Sequence, residues 1–152
     1  MIRAVPTSWF TWNFRLLQDD REVGRLRQSS WRERARFLVE DVRFELYREG
    51  LLGDFVLRFG ESVLVRARKP SVLHRRFEFV FEGQAYTLEP ASALSRVFVL
   101  RTATVEVGGV EPEGWVTRKA VVDLPKTLPL PVQAFAFWLV MLTWRRSAGA
   151  KG

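Results

Sequence analysis

The 152-residue sequence predicts a mainly β fold: a closed antiparallel barrel of about eleven to twelve strands around a hydrophobic C-terminal helix. Three observations carry this. Short stretches with an apolar residue at every second position recur at intervals of roughly 8 to 12 residues between positions 8 and 123. Turn-forming pairs such as Glu82-Gly83 stand between them. The chain then changes period, and Val132 to Trp144 runs without a charge.

Taken in order, Ser8 to Leu17 reads as a strand with Phe10, Trp12, Phe14 and Leu16 on one face. Gln18 to Arg21 is a turn, and Glu22 to Gln28 follows as its hairpin partner, with Gly24 suggesting a bulge. Arg34 to Glu40 and Val42 to Arg48 form the next pair; Asp54 to Phe59 and Ser62 to Arg68 form another. Phe77, Phe79 and Phe81 share a face, and after Glu82-Gly83 the strand Gln84 to Glu89 turns Tyr86 and Leu88 inward until Pro90 ends it. Arg96 to Arg101, Thr104 to Val110 and Val116 to Asp123 complete a set of eleven. No linker or compositional break divides them, so residues 1–152 read as one domain.

The closing segment, residues 130–146, enters through Leu128-Pro-Leu-Pro131 and leaves through Arg145-Arg146, which complement the negative end of a helix dipole. As a helix it is apolar all round, so three roles are open: a plug inside the barrel, a tail anchor, or a dimerisation helix. A membrane span takes about 20 apolar residues, more than this stretch supplies, so no transmembrane span is expected. The strands offer the apolar enclosure a plug requires, with Phe135, Trp138, Leu139 and Leu142 as its core.

Composition narrows function. The chain has no cysteine and a single histidine, His74, which removes thiolate chemistry, disulfides and two-histidine metal sites. No nucleophile elbow, phosphate-cradling glycine loop or zinc-ligand spacing is present, so no catalytic residue, metal or cofactor is assigned and a non-enzymatic role is expected. Asp19 and Asp20 read as turn formers rather than a metal pair. Without a secretory h-region at Met1 to Pro6, a cytoplasmic protein, peripheral at the membrane, is expected. The net charge of +7, with arginine supplying 20 of 24 basic residues, favours anionic partners.

Three local stretches carry a resemblance: Asp19-Asp20-Arg21-Glu22-Val23-Gly24, Ala67-Arg68-Lys69-Pro70-Ser71, and Phe137-Trp138-Leu139 to Trp144-Arg145-Arg146. With the order of elements, they resemble the tubby C-terminal-like superfamily of tubby proteins, phospholipid scramblases and LURP-one-related proteins, here as a small single-domain member of bacterial type. The resemblance implies a barrel closed around its helix and a role facing phospholipid. The chain differs from scramblases in having no cysteine for lipidation and no acidic calcium-loop pattern.

Two basic groups are the candidate anion sites. Arg66, Arg68, Lys69, Arg75 and Arg76 surround one turn, with Arg66 and Arg68 directed away from the core. Arg25, Arg27, Arg34 and Arg36 accompany Trp31, which either caps the barrel or lies at a lipid interface. The first group reads foremost as a solvated edge hairpin, whose charges also keep sheets from pairing edge to edge. The leading expectation is a module for anionic phospholipid or another phosphate-bearing ligand. A protein-interaction scaffold comes second; nucleic acid comes third and is not expected, for want of a recognition helix or RNA-binding signature.

Overall fold

The computed structural model describes residues 1–114 and 117–150. Twelve strands form a closed antiparallel barrel in which each strand pairs with its neighbours in sequence and β1 pairs with β12. They are β1 (Ile2–Pro6), β2 (Phe14–Gln18), β3 (Arg21–Gln28), β4 (Arg34–Val39), β5 (Val42–Arg48) and β6 (Phe55–Phe59). The second half comprises β7 (Ser62–Arg68), β8 (Phe77–Phe81), β9 (Gln84–Pro90), β10 (Phe98–Thr102), β11 (Val105–Pro112) and β12 (Ala120–Asp123). The helix α1 (Leu130–Ala150) follows and fills the lumen.

The first strand differs from the sequence expectation. Residues 7–13 form a connection rather than the start of a strand, and Phe10 is exposed instead of facing the core. Local polar bonds hold this bend: the Ser8 and Thr11 hydroxyls lie 2.9 Å apart, and Thr7 N–H donates to the Asn13 carbonyl at 2.9 Å. The Asn13 side chain accepts from Gln28 N–H at 2.8 Å. The true twelfth strand is β1, whose alternation is short, with only Ile2 and Ala4 fully inward. Its pairing with β12 closes the barrel. The expected start of the last strand at Val116 lies outside the described residues.

Three register slips bend the wall. The residues left without a ladder partner are Val23 on β3, Leu64 on β7 and Val107 on β11, so a bulge recurs every fourth strand. Such bulges increase local twist and help a sheet close. Gly24 sits beside the first one for a packing reason: a Cβ there would lie 2.5 Å from the Phe37 ring.

Inside, Phe135, Trp138, Leu139 and Leu142 are buried as expected, as is nearly all of Val132 to Trp144. The plug is therefore the role α1 takes. Edge-on aromatic contacts lock it to the wall: Phe14 to Phe137 at 5.0 Å and Phe55 to Trp138 at 5.9 Å. Because the helix is surrounded, it needs no polar face, which accounts for a sequence apolar on every side. A polar contact also joins helix and wall inside the apolar interior. The Trp138 indole donates to Gln28 Oε1 at 2.6 Å, and the Gln28 amide donates onward to the carbonyls of Ser29 and Arg32.

Candidate anion site at one end of the barrel

An up-and-down barrel sends alternate connections to opposite ends, and here the two ends differ. At one end, five two-residue turns join β2–β3, β4–β5, β6–β7, β8–β9 and β10–β11. Asp19 and Asp20 both have positive φ, as do Glu82 and Gly83, the requirement for a tight turn matched to strand twist. At the other end, six connections of five to eight residues span 7–13, 29–33, 49–54, 69–76, 91–97 and 113–119. The helix starts at the turn end and finishes at the loop end, where Trp144 Nε1 donates to the Arg96 carbonyl and Arg145 donates to that of Ser29.

Charge follows the same division. The loop-end connections and the last turns of α1 carry nine basic side chains among the described residues: Arg32, Lys69, Arg75, Arg76, Arg96, Arg118, Lys119, Arg145 and Arg146. Only four acids accompany them: Glu33, Glu49, Asp54 and Glu113. At the turn end Asp19, Asp20, Glu40, Asp41, Glu61 and Glu82 face a single basic side chain among the described residues, Lys126. Counted over these side chains, the ends differ by ten charges, +5 against −5, and each end's sign suits the helix terminus it surrounds.

The first basic group expected from sequence is divided among different tasks. Arg66 pairs with Glu49; Arg68 and Arg76 both engage Glu78, at 2.7 and 3.0 Å. The hydrogen bond from Arg68, with the charges of Arg76 and Arg68, holds the Glu78 carboxyl below the usual range against a smaller opposing effect of burial. Lys69 is part-buried near Arg146, Arg48 and Glu33; burial, then the two arginines, lower its ammonium pKa. Arg66 and Arg68 border a groove on the outer wall beside Glu78, whereas Arg75 turns into a cavity at the loop end.

The second group lies along the outer wall. Arg25 pairs with Glu22 at 3.0 Å, Arg34 lies over the Tyr47 ring, and Arg27 and Arg36 face each other across β3 and β4. Trp31 caps nothing: it is 93% exposed in the β3–β4 connection.

What the structure brings together instead are three arginines from three connections. Arg75, Arg96 and Arg118 line a cavity of about 580 Å³ with Trp12, Trp144, Thr117 and Ser147. Arg118 lies 4.4 Å from the centre of the Trp12 ring and Arg96 5.2 Å from that of Trp144, so aromatic faces hold the guanidinium planes. Arg118 donates to the Thr11 carbonyl and Arg75 to that of Ala93, each at 2.8 Å through one terminal nitrogen, leaving other N–H groups of their five-donor forks for a ligand. No carboxylate lines the cavity among the described residues. Arg96 and Arg118 escape a search for dense basic runs because each is separated from Arg75 by at least one hairpin. The alternation of long and short connections is the signal that places them at one end.

The outer wall carries charge at many strand positions, the reverse of the apolar outward band with which a barrel crosses lipid. No helix among the described residues is long and apolar enough to cross a membrane. Comparison of the chain with protein-family models, curated proteins and solved structures finds no match.

Proposed function

We propose that this protein is a non-enzymatic cytoplasmic module that binds phosphate-bearing ligands, anionic phospholipid foremost, at the loop end of its barrel. The convergence of Arg75, Arg96 and Arg118 on a cavity that no carboxylate lines among the described residues carries the reading. Guanidinium forks recognise phosphate oxygens in pairs, and an aromatic backing orients them before the ligand arrives. The excess positive charge of the same end steers anions toward it, with an attraction that fades as salt rises. Membership of the tubby C-terminal-like superfamily belongs to the same proposal, supported by the strand order around a C-terminal helix.

Thermal unfolding in inorganic phosphate or glycerophosphate, against chloride at matched ionic strength, tests the site. Phosphate raises the melting temperature of the native chain and not that of the Arg75→Gln, Arg118→Gln variant. Equal responses to phosphate and chloride would overturn the proposal.

A protein-interaction role is the second reading, favoured by a separate feature. β7 and β8 pair only at Ala67↔Phe79 and Arg68↔Glu78, and a groove of about 630 Å³ opens where they diverge, lined in part by the exposed Val63, Leu64 and Val80. Unpaired strand edges beside apolar side chains suit an added peptide strand. A soluble homodimer or hetero-complex disrupted by Val80→Lys would favour it.

A further inference from the structure

The most exposed apolar side chains also segregate. Among the described residues, every large apolar side chain more than 70% exposed lies in a loop-end connection: Trp9 and Phe10, Trp31, Leu51 and Leu52, Val72 and Leu73, and Leu94. These residues come from five different connections around one rim, while the turn end has none so exposed. Their placement is at odds with the hydrophobic effect unless something covers them.

We infer that the loop end docks end-on to an anionic phospholipid bilayer and inserts these apolar tips below the headgroups, with the barrel axis steep to the membrane. The inference rests on the anion-binding reading and adds the orientation and the part of the molecule that leaves water. Charge and exposure together favour a bilayer. The cations surrounding the tips meet anionic headgroups, while the acidic turn end is repelled to the far side. Trp9 at 84%, Trp31 at 93% and Leu94 at 96% exposure stand almost free of neighbours, which suits entry into a soft phase better than a preformed contact with one protein surface. Tryptophan is also suited to the boundary between headgroup and acyl chain, its ring apolar and its N–H wet. The arginine cavity opens on the same rim, with Leu94 among its lining residues. A headgroup phosphate in that cavity and apolar tips in the acyl region can therefore belong to one docked pose.

The test uses the whole chain and vesicles of phosphatidylcholine with or without phosphatidylserine, some carrying bromine on the acyl chains as a contact quencher. Phosphatidylserine vesicles should recruit the protein and bromine should quench tryptophan emission. The Trp9→Ser, Trp31→Ser variant should show weaker bromine-dependent quenching and, with Leu94→Ser added, lose about tenfold or more of the vesicle affinity. These positions are exposed, so an unchanged melting temperature confirms that the variants remain folded. Recruitment without quenching, at an affinity the three substitutions leave unaltered, would overturn end-on insertion while leaving phosphate binding in place. Phosphate-dependent stabilisation with no recruitment to either vesicle type would overturn it too, as would lipid-independent dimerisation abolished by Trp31→Ser. Loss of the phosphate response in the native chain instead strikes the anion-binding reading, so the two failures are separable.

Discussion

The bond between Trp138 and Gln28 offers a quantitative test of how the helix is held. Trp138 is 0% exposed and its indole has one acceptor, Gln28 Oε1 at 2.6 Å. Gln28→Leu keeps the side-chain size and removes that acceptor. The carbonyls of Ser29 and Arg32 lose the Gln28 amide but still face the Arg145 guanidinium, at 3.0 and 3.5 Å. The uncompensated loss is therefore a buried indole N–H, which costs about 1–3 kcal/mol. Taking about 2 kcal/mol and roughly 2–4 °C per kcal/mol for a chain of this size, the melting temperature should fall by about 4–8 °C. Trp138→Phe loses packing as well as the bond, so its total cost is larger. In a double-mutant cycle measured by urea unfolding, the pair should couple by about 1–2 kcal/mol, because the second change removes an atom already orphaned by the first. A Gln28→Leu cost below about 0.5 kcal/mol, or coupling within about 0.3 kcal/mol of zero, would refute the assignment.

Other substitutions examine the closed wall and its surface. Deleting residues 132–144 should abolish cooperative unfolding by calorimetry, because the inward aromatic face would lose its filling. Gly109→Ala places a Cβ 2.6 Å from the Phe98 carbonyl oxygen, where the backbone must shift, and should cost about 1–3 kcal/mol in urea melts. Gly149→Ala, with nothing within 4 Å, should instead raise stability by up to about 1 kcal/mol through helix propensity. Glu78 has a lowered carboxyl pKa in the folded chain, so its contribution to stability is present above the ordinary carboxylate range of the unfolded chain and is lost as pH falls through the lower folded value. Carbon-detected NMR titration should show the Glu78 midpoint rising in Arg68→Gln; an unmoved midpoint would contradict the pairing.

The period-2 pattern made most strands legible, since residues such as Phe37, Leu57 and Phe79 do face the core. It misled at Phe10, where apolar alternation continued into a connection whose polar residues bond to one another and to the backbone; Trp12 in the same connection still packs half-buried against the core. Side-chain hydrogen bonding overrode hydrophobic pattern there. The segment Ile2 to Pro6 was missed because two inward residues make a weak signal alone; its value comes from pairing with β12, more than a hundred residues away. The helix was identified by its uniform apolarity, which also left its role undecided until the lumen was seen. For the site, local density of arginine was a poor guide: Arg66 and Arg68 engage neighbouring carboxylates, whereas Arg75, Arg96 and Arg118 meet only after the barrel closes. Three-dimensional convergence of such separated residues depends on connection parity, which becomes readable once the number and order of strands are known.

The pairing pattern also has a kinetic meaning. Eleven of the twelve strand interfaces join sequence neighbours, so they form with small loop-closure cost; the β1–β12 seam, with Ile2↔Val122, Arg3↔Val121 and Ala4↔Ala120, closes across almost the entire chain. The lumen's filling comes after β12 in chain order, so a growing ribbon of hairpins cannot bury its inner face by curling on itself. It must wait for the helix and wrap around it, making seam closure and core burial one late event. Pulse-labelled hydrogen exchange should therefore protect β4–β5 amides before those of β1–β12, and simultaneous protection would exclude this order. In that sequence the helix is a mandrel for the sheet, setting when the ribbon becomes a barrel as well as how wide the barrel is.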